Sequence, residues 1–81
     1  MKAMVLDRFG GPEVLYLADI ERPRASPGNV VVQVAFAGVN PADWKRAARP
    51  SAIPVIPGWD IAGTITAVGS GVSAWKVGDP V

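Results

Sequence analysis

Apolar side chains fall into four short runs along the chain, and glycine or proline residues separate these runs. The first two runs are residues 2–7 and 14–20, the longest is the valine-rich segment 29–39, and the fourth is residues 61–68. Valine, isoleucine and threonine dominate the longer runs, which favours β-strands over helices. We therefore predict four strands. The third has only Gln33 as a polar side chain inside its apolar stretch, so we expect it to be central and mostly buried.

One segment favours a helix instead. Asn40 suits an N-cap, Pro41 suits the first helical position, and Asp43 places a carboxylate in the first turn, where the helix dipole favours negative charge. Pro50 cannot continue a helix, so the helix is predicted to end at about Ala48. The pattern therefore predicts a mainly β fold with one short helix.

Composition narrows the class of protein. The chain has 81 residues, of which nine are glycine and eight are proline, so it is at most one small domain of short elements. There is no cysteine and no histidine. Disulfides are therefore impossible, and a zinc site is close to excluded because its usual thiolate and imidazole ligands are missing.

Charge and hydropathy argue against nucleic-acid and membrane partners. The net charge is +1, and Lys45, Arg46 and Arg49 form the single local cluster of positive charge, which is more typical of a solvated face. No apolar run approaches the roughly 20 residues needed to cross a bilayer. Residues 1–6 are too short an apolar run for a signal peptide. We expect a cytoplasmic protein.

The last residues form a turn, Gly78-Asp79-Pro80, followed by the apolar Val81. Val81 has the character of the first residue of a further strand. We therefore expect the chain to be the front part of something longer.

Residues 69–74 match the dinucleotide-binding pattern G-x-G-x-x-A and follow a predicted strand. That pattern also requires a helix, whose N-terminus meets the pyrophosphate. Gly78 and Pro80 come too soon for such a helix. We therefore interpret Gly69-Ser70-Gly71 as a tight turn.

Several motifs occur in the order found in the medium-chain dehydrogenase/reductase superfamily, which the whole chain resembles. The opening residues are similar to the quinone oxidoreductase branch of that superfamily. The segments that carry the resemblance are 1–3, 9–15, 38–45, 57–63, 68–72 and 77–81.

The resemblance implies that residues 1–81 are the N-terminal part of a catalytic domain, a partial chaperonin-10-like β-barrel, with the Rossmann domain absent from this chain. Zinc-dependent members place a cysteine where Asn40 stands and a histidine where Trp59 stands. The resemblance therefore points to zinc-independent enzymes that pass a hydride from NADPH to a quinone or an activated double bond. The parent enzyme is expected to be a homodimer acting on a small molecule.

The same resemblance implies a cleft beside the nicotinamide, with no catalytic residue identified. Asn40 is a candidate to contact the nicotinamide ribose or a substrate carbonyl, or it is only a helix cap. Asp43 is favoured as a cap-region carboxylate or buried acceptor over an acid catalyst. Lys45 is favoured as an exposed side chain over a donor to substrate. It also departs from the tyrosine found near this position in many quinone reductases.

Four further side chains have predicted positions or roles. Trp44 either walls the substrate pocket or, as is commoner for such a residue, packs in the core. Trp59 is expected to fill the position of the metal pocket of zinc relatives. Asp60 is expected to accept a structural hydrogen bond rather than transfer a proton. Trp75 is expected in the core or at a dimer surface.

A second class of function stays open on the sequence alone. A small β domain of this size could also be a stand-alone binding or interaction module without catalysis. The two hypotheses differ in whether the chain works beside a dinucleotide-binding domain.

Overall fold

A computed structural model describes residues 1–45 and 54–81 of the protein. It is mainly β with one short α-helix, as the sequence predicts. The elements are β1 (Lys2–Val5), a 3₁₀ turn (Pro12–Val14), β2 (Tyr16–Asp19), β3 (Val30–Ala37), α1 (Pro41–Lys45) and β4 (Ile61–Val68). They belong to two units, one built from Met1–Glu21 with Gly38–Trp59 and the other from Arg22–Ala37 with Asp60–Val81.

The first unit contains an antiparallel pair of strands. β1 pairs with β2, from Lys2 opposite Asp19 to Val5 opposite Tyr16. The predicted second strand began at Val14, but Val14 lies in the 3₁₀ turn, where proline at the first position favours a helical bend. The strand itself begins only at Tyr16.

A small apolar core holds the first unit together. Leu6 is fully buried and Val14 nearly so, and the partly buried Leu15 and Val55 pack against them. Leu6 and Val55 also exchange two backbone hydrogen bonds of 2.8 Å. This bridge ties the end of the β1 segment to residues almost 50 positions away.

The second unit is built on the pairing of β3 with β4. The two strands are antiparallel, from Val30 opposite Val68 to Ala37 opposite Ile61, with register shifts between Val31 and Val32 and between Val34 and Phe36. Ile65 is the buried side chain of this pair, with 1% of its surface exposed.

The expectation that β3 is a mostly buried strand is wrong for this structure. Its first three residues are half-buried and the remaining five are exposed, with Phe36 78% exposed. The reason is that within residues 1–45 and 54–81 β3 has a strand partner along one edge, β4, and no buried layer covers its distal half. An apolar run shows that a strand can be buried, and only its neighbours decide whether it is.

Two further predictions concern the burial of Trp75 and the end of the helix. Trp75 is 50% exposed, so it is not a core residue. Residues 46–48 of the predicted helix lie outside the described residues.

In the part of the chain that the structure describes, no helix has the length and apolar character needed to cross a membrane.

Candidate functional site

The start of α1 is the best-defined part of the candidate site. Asn40 precedes Pro41, the first residue of the helix, and so occupies the N-cap position. The Asn40 backbone N–H donates to Oδ2 of Asp43 at 2.9 Å, and the Asp43 N–H donates to the Asn40 carbonyl oxygen at 2.9 Å. The bond from the Asn40 N–H to the Asp43 carboxylate is one half of a capping box, while the Asp43 N–H bonds the main-chain carbonyl of Asn40. These bonds confirm the predicted helix start and the predicted role of Asp43 as a cap-region carboxylate.

Asp43 has a second feature that the sequence did not reveal. Its other carboxylate oxygen, Oδ1, is shielded from solvent and has no hydrogen-bond partner in the described part of the chain. A buried acceptor without a partner usually costs about 1–3 kcal/mol. The carboxylate is therefore held in place by Oδ2, while Oδ1 is kept out of water.

Trp44 and Lys45 follow on the same helix and face solvent. Trp44 is 45% exposed, so the interpretation of this side chain as a core residue is wrong. α1 has no buried residue that could anchor it in a core. The Lys45 Nζ lies 5.7 Å from the centroid of the Trp44 ring, within the range of a cation–π contact. Lys45 is exposed, as favoured by the sequence.

Trp59 and Asp60 lie on the segment that leads into β4. Trp59 belongs to the first unit and is 60% exposed. Asp60 belongs to the second unit and is exposed as well. The structure thus brings four of the six predicted site residues together, on or beside α1, namely Asn40, Asp43, Trp44 and Lys45. The predicted roles of Trp59 and Asp60 stay predictions.

One titratable pair, Tyr16 and Asp7, has no signature in the sequence. The Tyr16 hydroxyl donates to Oδ2 of Asp7 at 3.0 Å. This hydrogen bond, together with the nearby negative charge, raises the pKa of Tyr16 above its ordinary value. The two residues meet because β2 runs back along β1. No local pattern signals this pairing.

The donor atoms of this chain do not suit a zinc ion. The residues in the ranges 1–45 and 54–81 include no cluster of three or more histidine, cysteine, aspartate or glutamate side chains. The full sequence contains no cysteine or histidine at all. Zinc sites in proteins are built mainly from thiolates and imidazoles, with occasional carboxylates. Asn40 and Trp59 provide neither of the two main ligand types.

The turn at Gly69-Ser70-Gly71 is used within the fold. The Gly69 N–H donates to the Asn29 carbonyl oxygen at 2.8 Å, and the Ser70 carbonyl oxygen accepts from the Gly28 N–H at 2.9 Å. Residues 69–81 contain no helix. The interpretation of this segment as a tight turn is confirmed, and it lacks the helix N-terminus that binds a pyrophosphate.

The described residues are mainly β and present Asn40 at the start of their α-helix, and the sequence has neither a thiolate nor an imidazole ligand for zinc. The family model of the alcohol dehydrogenase GroES-like domain matches residues 26–81. The chain belongs to this domain family, within the medium-chain dehydrogenase/reductase superfamily, and is quinone-oxidoreductase-like.

Three comparisons show the range of its relatives. Quinone oxidoreductase of Rattus norvegicus is 44% identical over 86 aligned residues, which cover 100% of this chain and 26% of that protein. The chloroplastic NADPH-dependent alkenal/one oxidoreductase of Arabidopsis thaliana is 40% identical over 87, covering 100% of this chain and 22% of that protein. The cobalt- and zinc-bound alcohol dehydrogenase of Pyrobaculum aerophilum superposes with a TM-score of 0.89 at 40% identity, covering 100% of this chain and 25% of that chain.

The chain therefore spans about a quarter of the length of the relatives it matches. These relatives are oxidoreductases. One structural neighbour binds metal in its own structure, so the fold itself does not decide metal content.

Proposed function

We propose that this chain is the N-terminal part of the catalytic domain of an NADPH-dependent, zinc-independent reductase. The enzyme would transfer a hydride to a quinone or to an activated double bond of a small molecule. The substrate classes are supported by the rat and Arabidopsis relatives, which are named for quinones and for alkenals and enones respectively. The Arabidopsis name also supports NADPH as the cofactor.

The observation that carries the proposal is the capped Asn40. Its backbone is held by two hydrogen bonds to Asp43, at the position where the zinc-dependent relatives are expected to have a cysteine. A neutral amide both donates and accepts hydrogen bonds. It is therefore suited to orient a nicotinamide ribose or a substrate carbonyl, and unsuited to bind zinc.

The residue types of this chain support zinc independence. In a zinc-dependent reductase the metal polarises the substrate oxygen, and thiolate and imidazole ligands hold it. With neither ligand type in the sequence, this chain must orient and polarise its substrate by hydrogen bonds. Asn40 is the leading donor, and Lys45, exposed on the same helix, is a second candidate.

The residues of this chain would contact only the nicotinamide end of NADPH. When bound, the cofactor supplies the hydride, and the protein supplies orientation and electrostatics. The Gly69 turn has no following helix within residues 69–81 and so offers no pyrophosphate site. We propose that a dinucleotide-binding domain outside this chain holds the rest of the cofactor, and that the complete enzyme is a cytoplasmic homodimer.

A chimera provides the direct test. Residues 1–81 would replace the aligned segment of the Arabidopsis relative, whose name states both cofactor and substrate class. We expect the chimera to oxidise NADPH when given an enone or a quinone, and to bind no stoichiometric zinc after dialysis. The unmodified Arabidopsis enzyme is the control for assay conditions.

A folded chimera that binds NADPH but reduces neither substrate class would contradict the proposal and favour a binding module without catalysis. One tightly held zinc per chain would contradict the zinc-independent assignment alone. Circular dichroism and gel filtration would show that the chimera is folded before either result is interpreted.

A further inference from the structure

The Asp43 carboxylate is in an unusual position for a helix cap. Oδ2 accepts the Asn40 backbone N–H at 2.9 Å, while Oδ1 is buried and has no partner among the described residues. For capping alone, a solvent-exposed carboxylate would serve without this desolvation cost. The structure therefore keeps a charged group partly out of water directly beside the candidate cleft residue Asn40.

The hydrogen bond from the Asn40 N–H to Asp43 holds the backbone of Asn40. A small rotation of this backbone would redirect the Asn40 side chain. The two hydrogen bonds close a ring between residues 40 and 43, which restricts rotation of the Asn40 backbone. Pro41 restricts the same backbone from the other side, because the residue before a proline is confined to extended conformations. The direction of the Asn40 Cα–Cβ bond is thereby determined from both sides.

We infer that Asp43 is a positioning residue, which orients Asn40 for hydride transfer by holding its backbone N–H. This inference rests on the proposed function. Asp43 itself neither donates a proton nor touches substrate. Its carboxylate contributes by restraining the Asn40 backbone, and a misplacement of about 1 Å at a reacting group can cost about a hundredfold in rate.

A double-mutant cycle in the chimera tests the inference. We expect Asp43→Ala to lower kcat by at least about tenfold with a much smaller effect on KM, because orientation rather than affinity is lost. In the Asn40→Ala background the same change should have little further effect on kcat, because the residue through which Asp43 acts is gone. Asp43→Asn keeps an oxygen that can accept the Asn40 N–H and should restore most of the activity.

A purely structural role would produce a different pattern. In that case Asp43→Ala would lower the thermal midpoint and the amount of active enzyme equally in both backgrounds, with kcat per folded molecule unchanged. Asp19→Asn, an exposed substitution on β2, is the matched control and should leave kcat and KM unchanged. Equal kcat losses from Asp43→Ala with and without Asn40 would overturn the inference.

A measurement on the 81-residue chain separates this inference from the proposed function. Amide hydrogen exchange at Asn40 should become at least about tenfold faster in Asp43→Ala and stay slow in Asp43→Asn. If Asp43→Ala does not fold, Asp43→Ser takes its place. The serine hydroxyl oxygen is one bond closer to the backbone than the carboxylate oxygens of Asp43, so we expect it not to reach the Asn40 N–H. Unchanged Asn40 exchange would overturn the inference even if the chimera is active. An inactive chimera with faster exchange would overturn only the proposed function.

Discussion

Gly63 and Val81 exchange two backbone hydrogen bonds, each 2.9 Å long, so the end of the described chain returns to pair with the middle of β4. The turn at residues 76–79 makes this return possible, with the Lys76 N–H donating to Oδ2 of Asp79 at 3.0 Å. Val81 is thus hydrogen-bonded as a strand residue is, and the expectation that it begins a further strand stays a prediction. Gly63 is thus bonded to Val81 along one edge of β4 while it lies opposite Val34 of β3 along the other.

Gly63→Ala should destabilise the second unit. A Cβ at this position would overlap the Gln33 carbonyl oxygen and would lie 2.9 Å from Cγ1 of Val32. Because the overlap is with backbone, β3 and β4 would have to separate. We expect a loss of about 1–3 kcal/mol in the free energy of unfolding, measured by urea denaturation. Ala62→Ser, at the adjacent exposed position, should change it by less than about 0.5 kcal/mol.

Gly69→Ala should be destabilising for a related reason. Gly69 is buried, and a Cβ there would overlap the Ser26 carbonyl oxygen and lie 2.9 Å from the Asn29 carbonyl oxygen. The neighbouring Gly71 is the matched control, because its surroundings are open and its φ of +81° can be adopted by asparagine. We expect Gly69→Ala to lower the thermal midpoint well below that of Gly71→Asn. Equal midpoints would show that the loop relaxes around the added methyl group.

The Tyr16 pKa can be measured without interference, because Tyr16 is the one tyrosine in the sequence. The Asp7 hydrogen bond raises this pKa above 10.0, its ordinary value. The hydrogen bond therefore stabilises the folded chain fully below that pH, and the stabilisation is lost as the pH rises through the raised pKa. Ultraviolet titration of tyrosinate should show the pKa falling toward its ordinary value in Asp7→Asn and unchanged in Asp19→Asn. Identical titration curves for Asp7→Asn and wild type would show that the hydrogen bond is absent in solution.

The 81-residue chain should bind NADPH poorly by itself. Its described residues include the proposed nicotinamide-side segment at Asn40 but no glycine turn followed by a helix. Since association costs several kcal/mol before any net gain, we expect a Kd of about 1 mM or weaker by titration calorimetry. The chimera should bind in the roughly micromolar range. Micromolar binding by the 81 residues alone would mean that a cofactor site exists within them.

Asn40→Ala should impair turnover of the chimera more than Lys45→Ala. Asn40 is half-buried and held by Asp43, whereas Lys45 is exposed and lies over the Trp44 ring. A short, half-buried asparagine side chain loses less conformational entropy when it orients a substrate than a long, exposed lysine side chain does. Steady-state kinetics with a quinone and with an enone would measure both variants. A larger kcat loss in Lys45→Ala would transfer the substrate-orienting role to the lysine.

The sequence by itself determined the features that depend on near neighbours. Runs of β-branched residues located β3 and β4 to within a few residues, because steric restriction of these side chains acts within the strand. Short apolar runs between turn residues located β1 and β2. The order Asn40-Pro41-Ala42-Asp43 located the start of α1, because capping involves residues only three apart. The absence of cysteine and histidine left the chain without the two main types of zinc ligand.

Only the tertiary structure decided what depends on distant segments. The Leu6–Val55 bridge and the Gly63–Val81 pairing join residues far apart in the chain. The exposure of β3 likewise depends on which segments pack against it. The burial of Oδ1 of Asp43 was likewise not evident from the capping motif. The physical reason is that burial and strand pairing are set by which surfaces meet, and the chemical character of a residue shows only that it could be buried or paired.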